Sequence, residues 1–214
     1  MMQITYNGHS CFTIMSDRYS LVLDPYGPVD GYSVLKLEAN EVYCSHEHHD
    51  HNNRDAVKLL EKGESPFRIT EIQTFHDPEG GALRGTNIIR IFEAGGVKLA
   101  HLGDLGCELK PEEKAQLTNL DCIMVPVGGT FTINASQAKA LMDELNPRTI
   151  IPMHFRRGTE GFAVLQSIEE FTSLYEGSDR MIADACATIV INHGTVGQQS
   201  EGCSNLVVMK VKHV

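Results

Sequence analysis

Positive charge is scarce in this 214-residue sequence. Eighteen lysines and arginines stand against 28 aspartates and glutamates, a formal charge of −10. A surface of that sign repels phosphate backbones and anionic bilayers, so neither nucleic acid nor a membrane is expected as a partner. A small anionic substrate stays compatible, because a local pocket can oppose the global field. Long apolar runs are missing too. Nothing approaches the roughly 18 apolar residues of a bilayer span. The opening MMQITYNGHSCFTI also lacks the basic segment and apolar core of an export signal. The expected setting is soluble and cytoplasmic. The cysteines, at 11, 44, 107, 122, 186 and 203, form no CxxC pair. Three of them (11, 44 and 122) lie in apolar, strand-like runs, which predicts buried reduced thiols and not a disulfide framework. Pro/Ser-rich linkers, low-complexity segments and charge blocks are absent as well, which argues for one domain over residues 1–214.

What is present is a substantial apolar complement, 42% of residues, enough for a real core. Short strand-like runs come early, at 3–6, 11–15, 20–23 and 41–45, each bounded by Gly, Asp or Pro. The apolar positions Ala56, Val57, Leu59 and Leu60 predict a first helix over 53–61. Strands resume at 67–74, 87–93 and 97–102. Pro111 opens a helix to about Asn119. The run 121–126 reads as a buried strand. Asn134 or Ser136 caps a helix that Asn146-Pro147 stops after Leu145. Another strand is expected at 149–153, an amphipathic segment at 161–175, and late strands at 187–191 and 205–211. Two face-to-face sheets with helices outside would use this inventory.

The densest chemistry is SHEHHDHN, residues 45–52, with four histidines and two carboxylates within six positions. It follows the apolar run EVYCS, so it emerges at a strand's C-terminal end, where sites often lie. His46 and His48 are two apart and can point the same way from an extended loop. Asp50 and His51 turn elsewhere. One loop can thus serve two neighbouring cations, and imidazole with carboxylate suits Zn²⁺, Mn²⁺ or Fe. Further donors are needed. His76, Asp104 and His154 each follow an apolar run and sit where a strand-end ligand would.

These stretches, together with GHSCFTI (8–14), LVLDPYG (21–27), AHLGDLG (100–106), DCIMVPVGGTFTINASQA (121–138) and IIPMHF (150–155), resemble the metallo-β-lactamase superfamily of metallohydrolases. Within it the chain resembles the compact branch that includes the L-ascorbate-6-phosphate lactonase-like proteins. The likeness spans residues 3 to about 156. It implies an α/β four-layer αβ/βα sandwich of two mixed sheets flanked by helices, with the site along one edge between the sheets. It also implies two divalent metal ions, zinc first, with manganese or iron as alternatives. His46, His48 and His76 would hold one ion. Asp50, His51 and His154 would hold the other, and Asp104 would bridge them.

The implied reaction is hydrolysis of a small metabolite (lactone, ester, thioester or phosphodiester) by a hydroxide held between the two metals. Asp50 orients it and is the catalytic residue expected. The competing reading is a catalytically silent metal-binding structural or regulatory domain. Four other positions are candidates to orient ligands or touch substrate. Asp24 ends the strand LVLD and would support the histidine loop. His9 would line the pocket or hydrogen-bond within the core. Gly129, in the pair with Gly128, would let backbone approach a ligand or simply make a turn. Arg156 would grip a substrate anion. His49 is off register and expected to be exposed. His101 is expected to be structural.

Overall fold

The computed structural model describes residues 1–61, 63–177, 187–193 and 205–212, and the backbone of 182–185. The first strands are β1 (Met2–Gly8), β2 (Cys11–Ser16), β3 (Tyr19–Leu23), β4 (Leu37–Ala39) and β5 (Glu41–Tyr43). Then come β6 (Val57–Leu59), β7 (Arg68–Phe75), β8 (Thr86–Ala94) and β9 (Val97–His101). The second half adds α1 (Pro111–Gln116), β10 (Cys122–Pro126), α2 (Ala135–Leu145), β11 (Thr149–Met153) and α3 (Ile168–Thr172). The late strands are β12 (Ile182–Ala185), β13 (Thr188–Ile191) and β14 (Asn205–Met209).

They form a five-stranded sheet, β13-β1-β2-β3-β5, and a seven-stranded sheet, β12-β14-β11-β10-β9-β8-β7. Side chains alternate between the faces of each strand, so every strand feeds two layers. Phe12, Ile14, Leu21 and Leu23 of the first sheet meet Leu99, Cys122, Met124, Ile151 and Met153 of the second in one buried cluster. The intervening residues Ala100, Ile123, Val125 and Ile150 face outward and carry the helices through Met142, Ile168 and Phe171. A strand buried on both faces must be apolar at every position. That is why CIMVP and TIIPM read as unbroken runs.

The expected mixed-sheet sandwich is therefore present, with two local departures. The helix expected over 53–61 does not form. Arg54–Ala56 makes a single 3₁₀ turn, and Val57–Leu59 becomes β6, parallel to β4. Short apolar runs do not distinguish helix from strand by periodicity, and here β4 offers backbone partners that decide the matter. Val57 is buried, whereas Leu59 and Leu60 remain exposed. Val57 packs with Cys11, Val22, Tyr26, Val29 and Leu35, so this ladder and the 25–36 loop cover the first sheet's outer face. The amphipathic stretch at 161–175 is likewise shorter as a helix. Its first part is loop, because Gly161 sits at φ +88 where a Cβ would lie 2.5 Å from the Phe155 carbonyl oxygen. Cys11, Cys44 and Cys122 are buried and free, as expected; Cys186 and Cys203 lie outside the described residues. Among the described residues no helix is long and apolar enough to cross a membrane.

Candidate metal centre

Six strands deliver polar residues from their C-terminal ends to one edge of the sandwich. His9 follows β1, Asp24 follows β3, and the 45–51 loop follows β5. His76 follows β7, Asp104 lies just beyond β9, and His154 follows β11. The edge is strained. His9, Asp24 and His154 all have φ between +43 and +54. Non-glycine residues adopt that region at a cost of about 1–3 kcal/mol, which surrounding structure must offset. Part of that structure is the bond from His154 N–H to the His9 carbonyl, 3.0 Å, which ties the two sheets together at the site.

The seven expected ligands converge. His46, His48 and His76 bring ring nitrogens within 4.8 Å of one another, and an Asp50 carboxylate oxygen meets ring nitrogens of His51, His154 and His9 within the same distance. Asp104 Oδ2 lies between the groups, 3.2 Å from the Nε2 atoms of His51, His76 and His154 and 3.9 Å from that of His46. Despite this closeness, His46 Nε2, His51 Nε2, His154 Nε2 and Asp104 Oδ1 are buried without a hydrogen-bond partner. Buried polar atoms are rarely left so. Several orphaned imidazole nitrogens around one carboxylate are what a divalent cation satisfies, and the donor set suits Zn²⁺, Mn²⁺ or Fe. The residues present therefore fit the metal that the family implies.

Asp24 sets the ring orientations. Its Oδ2 accepts from His51 Nδ1 at 2.9 Å, so when the ring is neutral its lone pair is on Nε2. The same carboxylate accepts from the Ser45 amide and hydroxyl, both at 2.6 Å. Because that hydroxyl proton is spent on Asp24, Ser45 Oγ must accept from His46 Nδ1, 2.9 Å away. So His46 also turns a bare Nε2 toward Asp104. One carboxylate fixes two tautomers, one directly and one through a serine.

Electrostatics follow from burial and pairing. Burial alone would raise the Asp104 carboxyl, but the His154 and His51 rings beside it hold it well below the usual carboxylate range. Asp24 is likewise brought to about 2 against its burial, chiefly by the His51 hydrogen bond. Burial lowers His46 to about 3 and, with His154 adding to the effect, His9 to about 4. Those two rings are neutral near pH 7. Burial would lower His51 as well, yet Asp104 and Asp24 raise it well above its ordinary value.

His9 lies fully buried with Nε2 3.3 Å from Asp50 Oδ2, its ring 4.4 Å from that of His154. It is thus an orienting partner of Asp50 inside the cluster. Arg156 and Gly129 are not brought to the centre. Arg156 turns its Nε to the Leu165 carbonyl, 3.4 Å away. A Cβ at Gly129 would meet Gln166 at 2.9 Å, and one at Gly128 would lie 2.1 Å from the His154 carbonyl oxygen. The glycine pair is there for chain-on-chain approach. His49 is exposed, as expected. His101 is structural: its Nε2 donates to the Ser10 carbonyl and its Nδ1 accepts from Gly103 N–H.

Sequence reasoning missed four residues. Ser45 was hidden because its role depends on Asp24. Asn87 Oδ1 accepts from Asp104 N–H at 2.9 Å, while its amide donates to the Leu102 carbonyl. Asp77 is buried and accepts four N–H bonds from Glu79, Gly81, Leu83 and Arg84, which folds the 77–85 loop. Arg84, presented by that loop, stands at the rim of a cleft of about 560 Å³ that opens onto His48, Asp50, His76 and His154. The signal available was TFHDPEGG itself, where an Asp before a Pro-Glu-Gly-Gly turn marks a loop nucleus.

Comparison with known proteins gives the chain a family. A family model described as a beta-lactamase superfamily domain matches residues 3–154. A UPF0173 metal-dependent hydrolase of Korarchaeum cryptofilum is 27% identical over 187 residues, covering 73% of this chain and 84% of its own. Another, from Pyrobaculum islandicum, is 24% identical over 216 residues, covering 84% and 94%. A Thermotoga maritima crystal structure, proposed to be a Zn-dependent hydrolase of the metallo-β-lactamase superfamily, is 29% identical. It superposes with a TM-score of 0.72, covering 99% of this chain and 100% of that one. With residues 3–154 matched and its two sheets packed as described, the chain belongs to the beta-lactamase superfamily and has the metallo-β-lactamase fold.

Proposed function

We propose that the protein is a metal-dependent hydrolase that holds two divalent cations, zinc first among them, and cleaves an ester, lactone, thioester or phosphodiester of a small molecule. The observation that carries this is Asp104 Oδ2, which lies 3.2 Å from histidine nitrogens of both groups. A carboxylate so placed suits a bridge between two ions. His46, His48 and His76 would hold one; Asp50, His51 and His154 the other.

When bound, such cations act as Lewis acids and bring the pKa of water toward neutrality. The chain does the rest. Asp50 is the partly open carboxylate of the cluster, 13% exposed, and it lines the cleft. Its pKa is lowered: burial would raise it, but the hydrogen bond from His9 outweighs that. A charged, oriented Asp50 can align the attacking water and accept its proton. Phe131 and Phe162 give the cleft apolar walls on which the body of a substrate can lie.

A silent structural site is the weaker reading, since structural sites are closed whereas His48 is exposed and faces the cleft. The test couples elemental mass spectrometry with turnover of a panel of lactones, esters, thioesters and cyclic phosphodiesters. Wild type should carry about two ions per chain and cleave at least one class. Asp50→Ala should lose turnover by at least ~100-fold while staying folded. Full activity in that variant would remove Asp50 from the mechanism.

A further inference from the structure

The hydrolase reading leaves Arg84 unused. Its guanidinium stands on the rim of the cleft, with Phe131, Phe162 and Val164 as the apolar wall and His48 and Asp50 below. It carries five N–H donors. One of them, on Nη2, reaches the Thr130 carbonyl at 3.2 Å, and the plane sits 5.7 Å from the centre of the Phe131 ring. Among the described residues no carboxylate lies within 4 Å of it. Of its five donors, the Thr130 contact uses one.

Its position is built. The backbone N–H of Arg84 is one of the four that bind Asp77, so the residue leaves a rigid loop. Thr130, which receives the guanidinium on its carbonyl, donates its own hydroxyl to the Val164 carbonyl at 2.7 Å. Three loops, following β7, β10 and β11, are therefore stitched together at the cleft mouth around this one cation. A guanidinium held over an aromatic ring and by one backbone carbonyl still has donors for a planar, bidentate anion.

We propose that Arg84 is the specificity residue of the cleft, reading a carboxylate on the substrate, so that the substrates are monoanionic acyl compounds with an apolar body. This rests on the hydrolase reading above. Asp30 also lines the cleft, and its charge disfavours a second anionic group on the substrate away from the cations held at the centre. The apolar body lies along Phe131, Phe162 and Val164, and the acyl carbon lies toward Asp50. In hydrolysis the water oxygen bonds to that carbon, the carbon–oxygen bond to the leaving group breaks, and the departing oxygen takes a proton.

The test uses the metal-loaded full chain with two esters of matched length. p-Nitrophenyl hydrogen glutarate ends in a carboxylate where p-nitrophenyl valerate ends in a methyl group. The kcat/KM ratio of the acidic to the neutral ester should fall about tenfold in Arg84→Met, the effect of one charge-assisted hydrogen bond, and recover in part in Arg84→Lys. Elemental analysis of each variant separates loss of metal from loss of the guanidinium. An unchanged ratio overturns the proposal. If wild type holds metal yet cleaves neither ester, the hydrolase reading is what suffers, and Arg84 is then read by calorimetry. 4-Phenylbutyrate should bind wild type about tenfold tighter than Arg84→Met, and 4-phenylbutan-1-ol equally to both. Equal binding of the carboxylate overturns the assignment. So does phenyl phosphate outranking it in an Arg84-dependent way, which would make the anion a phosphoryl group.

Discussion

The two ligand groups of the candidate metal centre are built differently. In the half formed by Asp50, His51 and His154, both histidines are fully buried, and His51 is locked by Asp24. In the half formed by His46, His48 and His76, two rings are buried as well, but His48 is exposed on the cleft wall; each half has one ring, His76 or His154, whose Nδ1 lacks a hydrogen-bond partner. One half is preorganised in low dielectric; the other keeps an open, more adaptable face. Preorganisation lowers the cost of binding, so the buried half should hold its ion more tightly, and the open half should exchange ion and meet substrate.

The sharpest way to break this comparison is to remove one histidine from each side. His51→Ala should lose the tighter ion, and with it most of the metal-dependent rise in melting temperature. A ligand present at 100 times its Kd adds about 3 kcal/mol. His48→Ala should lose one ion and activity but keep most of that rise. Elemental analysis with melting curves, with and without chelator, reads both. Equal losses in the two variants would mean that the halves are not distinct.

A smaller effect tests the lock. Asp24→Asn keeps the shape but weakens the acceptor that orients His51 directly and His46 through Ser45. Metal affinity should fall by about 10–100-fold. Competition with a metal-binding dye measures it, and an unchanged affinity would reduce Asp24 to a turn residue.

The smallest effect concerns the metal-free protein. His9 and His46 have folded pKa values of about 4 and about 3 against an ordinary 6.5. The unfolded chain takes up these protons near pH 6.5 and the folded chain does not. Stability should therefore fall as pH drops from 6.5 to 5, by about 2 kcal/mol for each ring. His51, raised in the folded state, is protonated in both states across that window and does not offset the loss. Denaturant midpoints of chelated protein at pH 6.5 and 5 check the slope, and a flat profile contradicts it.

Much of the centre was legible in the residue order. His46, His48, Asp50 and His51 sit on one short loop after an apolar run, so their grouping needs no long-range information. His76, Asp104 and His154 were legible because each ends a strand whose apolar pattern is itself visible. The strand at 57–59 was not, since Leu37–Ala39 supplies its partners and nothing within 53–61 indicates them. Arg156 was the cation suggested by proximity to His154, yet the chain turns it to the Leu165 carbonyl while Arg84, 72 positions before it, reaches the cleft.

The sequence by itself determined the layered sandwich, the strand-end placing of the candidate ligands and the scarcity of positive charge, because apolar period and local spacing are properties of neighbouring residues. Only the tertiary structure decided which carboxylate orients which ring, and which arginine stands free at the cleft. Asp24 finds Ser45 across 21 positions, and Arg84 finds Thr130 across 46. Such pairs arise from how the strands are ordered in the sheets, and that ordering is a collective outcome of packing two apolar faces together.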